Sequence, residues 1–341
     1  MASPGLSEIV TTTLRNRTKK LADNMLRNNG ALVRLNSRGN VKPFSGGRTI
    51  VQELEYANNT TYKRYSGYEV LNIQPSDVFT AAEYAIRQAA VAVSISGLEM
   101  LQNSGKEAVI DLLESRIKNA EKTFMNGLAY DVYSNGSLTG QIGGLQFLVA
   151  SSPSTGVVGG IDRATWSFWQ NITYSALTNG GAALSSANVY SYMLALYTQL
   201  IRQQDRPDLI LASDTAWRAY NESLHAIQRI TSTDTDVAKA GYMSVKFMDS
   251  DVVLDGGFQG TTTDGNTFGT NGGGAVGGMP SGVHFYMLNT NYIYLRPHKD
   301  RNMVPLDPDR FSVNQDAMVK LVGWAGNMTL SNGFLQGVMT T

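Results

Sequence analysis

The sequence predicts an α+β fold made of long extended segments and one dominant helix. Three observations carry that prediction. The helical period is strongest over 106–133, where Val109, Leu113, Ile117, Ala120, Phe124 and Leu128 step by four or three. Period-two alternation recurs in separated stretches, notably 48–73, 79–95, 283–295 and 318–339. The 34 glycines and 16 tyrosines among 341 residues supply turns and contact surface for a β-rich protein rather than a helical bundle. A chain of this length buries a large core, as two domains or one elaborated one.

From the N-terminus, Ser3 and Pro4 read as an N-cap and a first-turn proline, and Leu6, Ile9, Val10, Leu14, Leu21 and Met25 recur near helical spacing. They predict an amphipathic helix that stops at Asn28-Asn29-Gly30. Its apolar stripe is narrow and its other face is crowded with Arg and Lys, so it needs a surface to lie on. Over 48–73, Ile50, Leu54 and Tyr56 share one strand face while Val51, Glu53 and Glu55 occupy the other, with turn signals at Ala57-Asn58-Asn59-Thr60 and Ser66-Gly67. The prediction is a long hairpin with a reach of about 30 Å. It carries too few apolar residues to form a core, and isolated hairpins are marginal in water, so another subunit is expected to hold it.

Tyr84, Ile86, Val91, Val93 and Ile95, spaced mostly by two, predict one strand over 79–95. Ser104-Gly105 then precedes the 106–133 helix, about 40 Å long at 1.5 Å per residue, in which Glu114 and Lys118 can pair. Asn135-Gly136 ends it. Gly143-Gly144 opens a second region with Trp166, Phe168 and Trp169. A helix over 186–203, a buried strand at 208–212 and a helix over 214–229 mark an α/β portion. A strand follows at 245–254. The eleven glycines of 256–282 predict an exposed loop.

Charge is distributed unevenly. Within 1–48, nine basic residues (Arg15, Arg17, Lys19, Lys20, Arg27, Arg34, Arg38, Lys42 and Arg48) face only Glu8 and Asp23, a local charge of +7. The 28 basic and 28 acidic residues of the whole chain then leave −7 on the remainder. A neutral chain split this way attracts copies of itself or an acidic partner. There is no cysteine, so disulfides, thiolate metal sites and cysteine nucleophiles are excluded, which suits a reducing compartment. The first twenty residues lack an apolar signal core and no stretch is long enough to span a bilayer, so a soluble, unexported chain is expected. The Asn-x-Ser/Thr triplets at Asn58, Asn171, Asn221 and Asn327 then carry no glycan.

Catalytic chemistry finds no support. His225, His284 and His298 have no second ligand at metal spacing. Asp249, Asp251 and Asp255 cluster, but without the order of an EF-hand loop. No nucleophile elbow, P-loop or dinucleotide fingerprint is present. No catalytic, cofactor-binding or metal-binding residue is assigned, and no cofactor is expected. An α+β enzyme, carbohydrate-active or other, would need paired carboxylates or a nucleophile in a cleft. The basic arm can meet nucleic-acid phosphates without reading bases. Tyr56, Tyr62, Tyr65 and Tyr68 are expected to cover a neighbour's apolar surface rather than stack on bases.

The order of these segments resembles the major capsid proteins of tailed bacteriophages, the HK97-like family. Residues 46–73 resemble its extended loop, Ala82-Glu83-Tyr84 through Ser94-Ile95-Ser96-Gly97-Leu98-Glu99 its strand and turn before the spine, and 106–133 its spine helix. Leu288-Asn289-Thr290-Asn291-Tyr292-Ile293 and the closing 315–337 resemble its last axial strand and peripheral return. The resemblance implies an N-terminal arm at 1–47, an extended loop at 48–78, a peripheral domain at 79–145 and 297–341, and an axial domain at 146–296. It implies a structural protein and no enzyme, one that assembles into hexamers and pentamers of an icosahedral or prolate head around double-stranded DNA. Scaffold, portal and decoration proteins would be its partners, with non-specific contact to packaged DNA and no membrane. It would reside in the virion after assembly in the bacterial cytoplasm. An encapsulin-type nanocompartment is the alternative on the same fold. Some relatives join subunits through a loop lysine and a neighbour's asparagine, for which Lys63 and Asn327 stand near the right places.

Overall fold

In the computed structural model the described residues are 29–98, 106–225, 244–254, 280, 282–311 and 317–341, without the side chains of 106–114, 225, 244, 307–311 and 317–318. Helix α1 (Gly30–Ser37) is followed by strands β1 (Thr49–Glu55), β2 (Phe79–Ala85) and β3 (Arg87–Ser96). Next come the 26-residue helix α2 (Lys106–Asp131) and a single turn, α3 (Leu145–Leu148). A miniature hairpin of β4 (Val157–Val158) and β5 (Ile161–Asp162) leads to β6 (Ile172–Ser175), α4 (Val189–Leu200), β7 (Leu209–Ala212) and α5 (Asp214–His225). Strands β8 (Ser244–Phe247), β9 (Ser250–Leu254), β10 (Val283–Leu288), β11 (Ile293–Phe311), β12 (Ala317–Leu330) and β13 (Gly337–Thr340) complete the α+β chain.

Two sheets organise the body. The larger has the order β6-β13-β10-β7-β9-β8. Its strand β7 is buried on both faces, as an unbroken apolar run requires. Leu209 and Leu211 face one core with Leu32 and Tyr286, while Ile210 and Ala212 face the other with Leu196, Tyr197 and Trp217. The smaller sheet has the order β11-β12-β3. Pro297 and Pro305 lie in β11, an outer strand, where a missing N–H is tolerated. Against this sheet α2 buries Ile117, Phe124 and Leu128, with Val93, Met303 and Val322 on the sheet side. Those three helix positions are among the ones its periodicity singled out. Val109, Leu113 and the Glu114 partner of Lys118 fall outside the described side chains.

Several expectations are corrected. Asn29-Gly30 starts a helix rather than ending one. Asn29 is extended at φ −141° and its side chain accepts the Ala31 N–H at 2.8 Å, an N-cap. The helix expected before it lies outside the described residues. The hairpin is real, but β1 pairs with β2 from Thr49↔Ala85 to Glu55↔Phe79, so 56–78 is a long tip without strands. The strand expected over 79–95 is two strands in different sheets, because β2 pairs with β1 and β3 with β12. The single strand at 245–254 folds back at Met248, φ +52°, into the antiparallel pair β8-β9. The 283–295 strand breaks at Asn289, whose backbone N–H and C=O are both bonded by the Gln336 side chain. The last strand, β13, sits in the six-stranded sheet between β6 and β10. Most of the glycine-rich loop lies outside the described residues.

Candidate assembly surface

The extended arm is fastened at its base and bare beyond it. In β1, Ile50 and Leu54 are buried while Val51, Glu53 and Glu55 are exposed, the alternation its sequence carries. The body grips β2 from two directions. The Glu83 N–H donates to the Gly159 carbonyl at 2.9 Å, and the Tyr84 hydroxyl lies 3.2 Å from both the N–H and the C=O of Leu330. Burial pushes the Tyr84 hydroxyl pKa up, so it stays protonated. Nearby Arg163 is buried and its guanidinium donates to the Leu148 carbonyl. At the top of the strands Tyr56 packs on Trp166 and Phe168, with ring centroids 6.3 and 5.6 Å away.

Above that clamp, Tyr62, Tyr65, Tyr68, Val70, Leu71 and Ile73 are all exposed. A bare apolar patch of this kind marks a contact surface. Asn59 shapes the tip by accepting the Thr61 N–H and hydroxyl at 2.9 and 2.7 Å. Lys63 pairs with Glu69 at 2.9 Å.

The basic segment is partly spent inside its own chain. Arg34 is buried between Asp208, at 2.9 Å, and Asp251, at 3.6 Å, and Arg38 reaches Asp208 at 3.4 Å. Thr290 completes the shell of Asp208 with its N–H at 2.7 Å and its hydroxyl at 2.6 Å. Residues 41–44 then run parallel to β11, with Lys42 N–H donating to Leu295 O and Phe44 N–H to Pro297 O. This segment covers the outer edge of β11 over 295–299, which would otherwise be free to pair with another chain.

The residues weighed for chemistry are scattered. Asp249 pairs with Arg206 at 2.7 Å, Asp251 belongs to the Arg34 cluster, and Asp255 lies outside the described residues. His298 accepts the Asp300 N–H at Nδ1 and packs edge-on against Phe44, while His284 is half-buried, with its pKa lowered by burial. Among the described residues no three His, Asp or Glu side chains come close enough to hold a metal, and no helix is long and apolar enough to cross a membrane.

Asn327 is 5 % exposed. Its amide donates to the Ala85 carbonyl at 2.8 Å and accepts the N–H of Gly143 at 3.0 Å and of Met328 at 2.9 Å. It satisfies the backbone where the chain passes from β2 to β3, a role the sequence alone gave no sign of.

A cavity of about 360 Å³ lies between β3 and α2. Ala89, Val91, Phe124 and Leu128 wall it, and Asp131 and Trp324 line it. Burial pushes the Asp131 carboxyl up to about 6, against one opposing hydrogen bond from Gln141 at 3.0 Å.

No known protein family and no curated protein matches the sequence. Solved structures do match in shape. The chain resembles a protein of the cyanophage A-1(L) capsid asymmetric unit at 15 % identity and a TM-score of 0.58, covering 88 % of this chain and 90 % of that one. It resembles a protein of the capsid of a native GTA particle at 10 % identity and a TM-score of 0.51, covering 89 % and 88 %. It also resembles a protein of the holo-SrpI encapsulin complex from Synechococcus elongatus PCC 7942 at 9 % identity and a TM-score of 0.52, covering 90 % and 86 %. Across nearly its whole length the chain therefore has the fold of capsid and encapsulin shell proteins, the HK97-like fold that its order of segments resembles.

Proposed function

We propose that this protein is the major capsid protein of a tailed bacteriophage, a structural subunit that self-assembles into the head shell around double-stranded DNA. The observation that carries this reading is the arm: a hairpin clamped at its base whose tip exposes six large apolar side chains, on a fold shared with capsid subunits. An isolated subunit leaves that surface in water. A closed shell covers it, because each copy supplies an arm and receives a neighbour's.

In this reading residues 1–47 form the N-terminal arm, 48–78 the extended loop, 79–145 and 297–341 the peripheral domain and 146–296 the axial domain, with β13 lent by the peripheral segment to the axial sheet. Hexamers and pentamers of this chain build the head in the host cytoplasm. Scaffold, portal and decoration proteins join them, and DNA is met without sequence preference. The subunit carries out no catalysis.

The encapsulin likeness supports a second reading, a nanocompartment that encloses protein instead of a genome. Electron microscopy with sedimentation of the purified chain tests both. Closed shells, capsomer rings or tubes are expected; a monomer at every concentration, with and without candidate scaffold, overturns the shell reading. The contents of shells from native particles, DNA or protein, separate the two.

A further inference from the structure

We propose that the cavity between β3 and α2 is a binding site for a small amphiphilic amine, a protonated amino group on a short aromatic or aliphatic body. The site belongs to the single folded chain and does not depend on the shell reading.

Size and lining fit a small molecule. The cavity holds about 360 Å³, within the range of roughly 300–1,000 Å³ over which apolar clefts with a few polar groups take small ligands. Ala89, Val91 and Ala92 of β3, Phe124 and Leu128 of α2, and Ile142 give it apolar surface. Gln88, Thr123 and Tyr130 add amide and hydroxyl groups, and Asp131 is the one charged side chain that lines it.

Charge decides what the ligand must carry. Asp131 Oδ1 accepts one hydrogen bond, from the Gln141 amide at 3.0 Å, and no cation among the described residues pairs with the carboxylate. Arg301 of β11 is directed instead to Gln88, at 3.4 Å. Asp131 also stands in the last turn of α2, where the helix carbonyls carry partial negative charge and no basic residue offsets them. Carboxylate and helix end therefore both favour a cation and both repel an anion. Partial burial sharpens this preference: it holds the Asp131 carboxyl up at about 6, and an ammonium group alongside would offset that cost through a charge-assisted hydrogen bond. A neutral ligand would gain only the apolar contacts, and an amine without an apolar body would gain only the ion pair. The ligand that uses the whole cavity sets its ammonium on Asp131 and its body against Val91 and Phe124.

Phenethylamine, phenethyl alcohol and phenylacetate share one body and differ in charge, so they test the site directly. Each is titrated into the purified full-length chain and followed by calorimetry and ligand-observed NMR. At pH 7 the amine should bind saturably, the alcohol about tenfold more weakly, and the acid not at all. Lowering the pH to 5 should weaken the amine severalfold and leave the alcohol unchanged, because Asp131 takes up its proton across that window while the ammonium group stays charged. Asp131→Asn should bring the amine down to the level of the alcohol and abolish its pH dependence, with circular dichroism unchanged. Ala89→Leu, which fills the cavity, should weaken amine and alcohol together. Equal affinity for amine and alcohol, or amine binding indifferent to Asp131→Asn, overturns recognition by the carboxylate. Binding indifferent to Ala89→Leu overturns the cavity as its location. No saturable binding of the amine below about 10 mM overturns the site altogether.

Discussion

Arg34 and Asp208, 174 residues apart in sequence, meet through a buried 2.9 Å hydrogen bond from the guanidinium Nε to Oδ2. The pair pins α1 to the residue that leads into β7, and Asp251 shares the same cation. Replacing Arg34 by Met keeps much of the packing but leaves two carboxylates buried without their principal partner. The expected loss is about 3 kcal/mol of unfolding free energy, measured by urea denaturation. A loss below 1 kcal/mol, on the order of a surface pair, would mean that Arg38 and Thr290 suffice.

Asp131 gives a pH signature. Its folded pKa, about 6, stands above the ordinary value of 3.8, so the folded state holds this proton more tightly than the unfolded state does. Stability from this group is therefore present below the unfolded value and falls as pH rises through the window from about 4 to 6. Asp131→Asn should make the isolated subunit more stable at pH 7 by roughly 1 kcal/mol, after discounting for partial exposure, and flatten that window. Thermal unfolding of both proteins at pH 4, 5, 6 and 7 reads it. Parallel curves would remove Asp131 as the cause.

Gly159 clamps the arm. Its φ is +59°, and a Cβ there would lie 2.7 Å from the Ala82 Cβ. Gly159→Ala is expected to cost about 2 kcal/mol and to push the β4-β5 turn off β2. The Glu83 amide, which donates to Gly159 O, should then exchange its hydrogen faster while β7 amides stay protected. Unchanged exchange at Glu83 would place the arm's anchor on Tyr84 instead.

Asn327 is buried with its amide bonded to Ala85, Gly143 and Met328 of its own chain, so no isopeptide bond from a neighbour's Lys63 should form there. Shells boiled in detergent should release only single chains of 37.0 kDa. A ladder of multiples that Lys63→Ala abolishes would show the opposite. Asn327→Ala should lower stability by about 2 kcal/mol through the unpaired Ala85 and Gly143 backbone groups.

Reversing Arg15, Arg17, Lys19 and Lys20 to Glu should hinder assembly while leaving the subunit folded, if the basic segment guides one copy to the acidic remainder of another. Such guidance acts over the Debye length of about 8 Å at physiological salt, so higher salt should mimic the variant. Normal shells from the reversed chain would confine the attraction to Arg34 and Arg38, which already act within the subunit.

Much of this architecture was legible in residue patterns. The α2 stripe, the two-sided burial of β7 and the alternation of β1 follow from local periodicity, and local periodicity survives folding. Partner choice was less accessible. Nothing in Phe79 to Ile95 says that the chain changes sheets at Ile86, because that switch depends on the Asn327 amide arriving from far along the chain. Asn29 is ambiguous for a related reason: an Asn-Gly pair serves a helix start as well as a stop, and only the capped Ala31 N–H decides between them. On the assembly surface the exposed tyrosines were visible as a hairpin too polar to bury. The cavity was not, since Asp131, Trp324 and Ala89 come together only when β3 lies between β12 and α2.

The pairing of β3 with β12 carries a kinetic consequence. Arg87 through Ser96 must wait for Ala317 through Gly326 before their sheet can close. Contacts of such sequence separation are slow to form, because the entropy of closing the intervening loop is lost before any ladder bond is gained. Until then the hairpin that precedes β3 has no rigid base and its cavity no wall. If the chain builds a shell as proposed, newly made copies would join a growing lattice only after this slow step of their own folding, a delay that keeps the pool of competent subunits small and favours the extension of existing shells over the start of new ones.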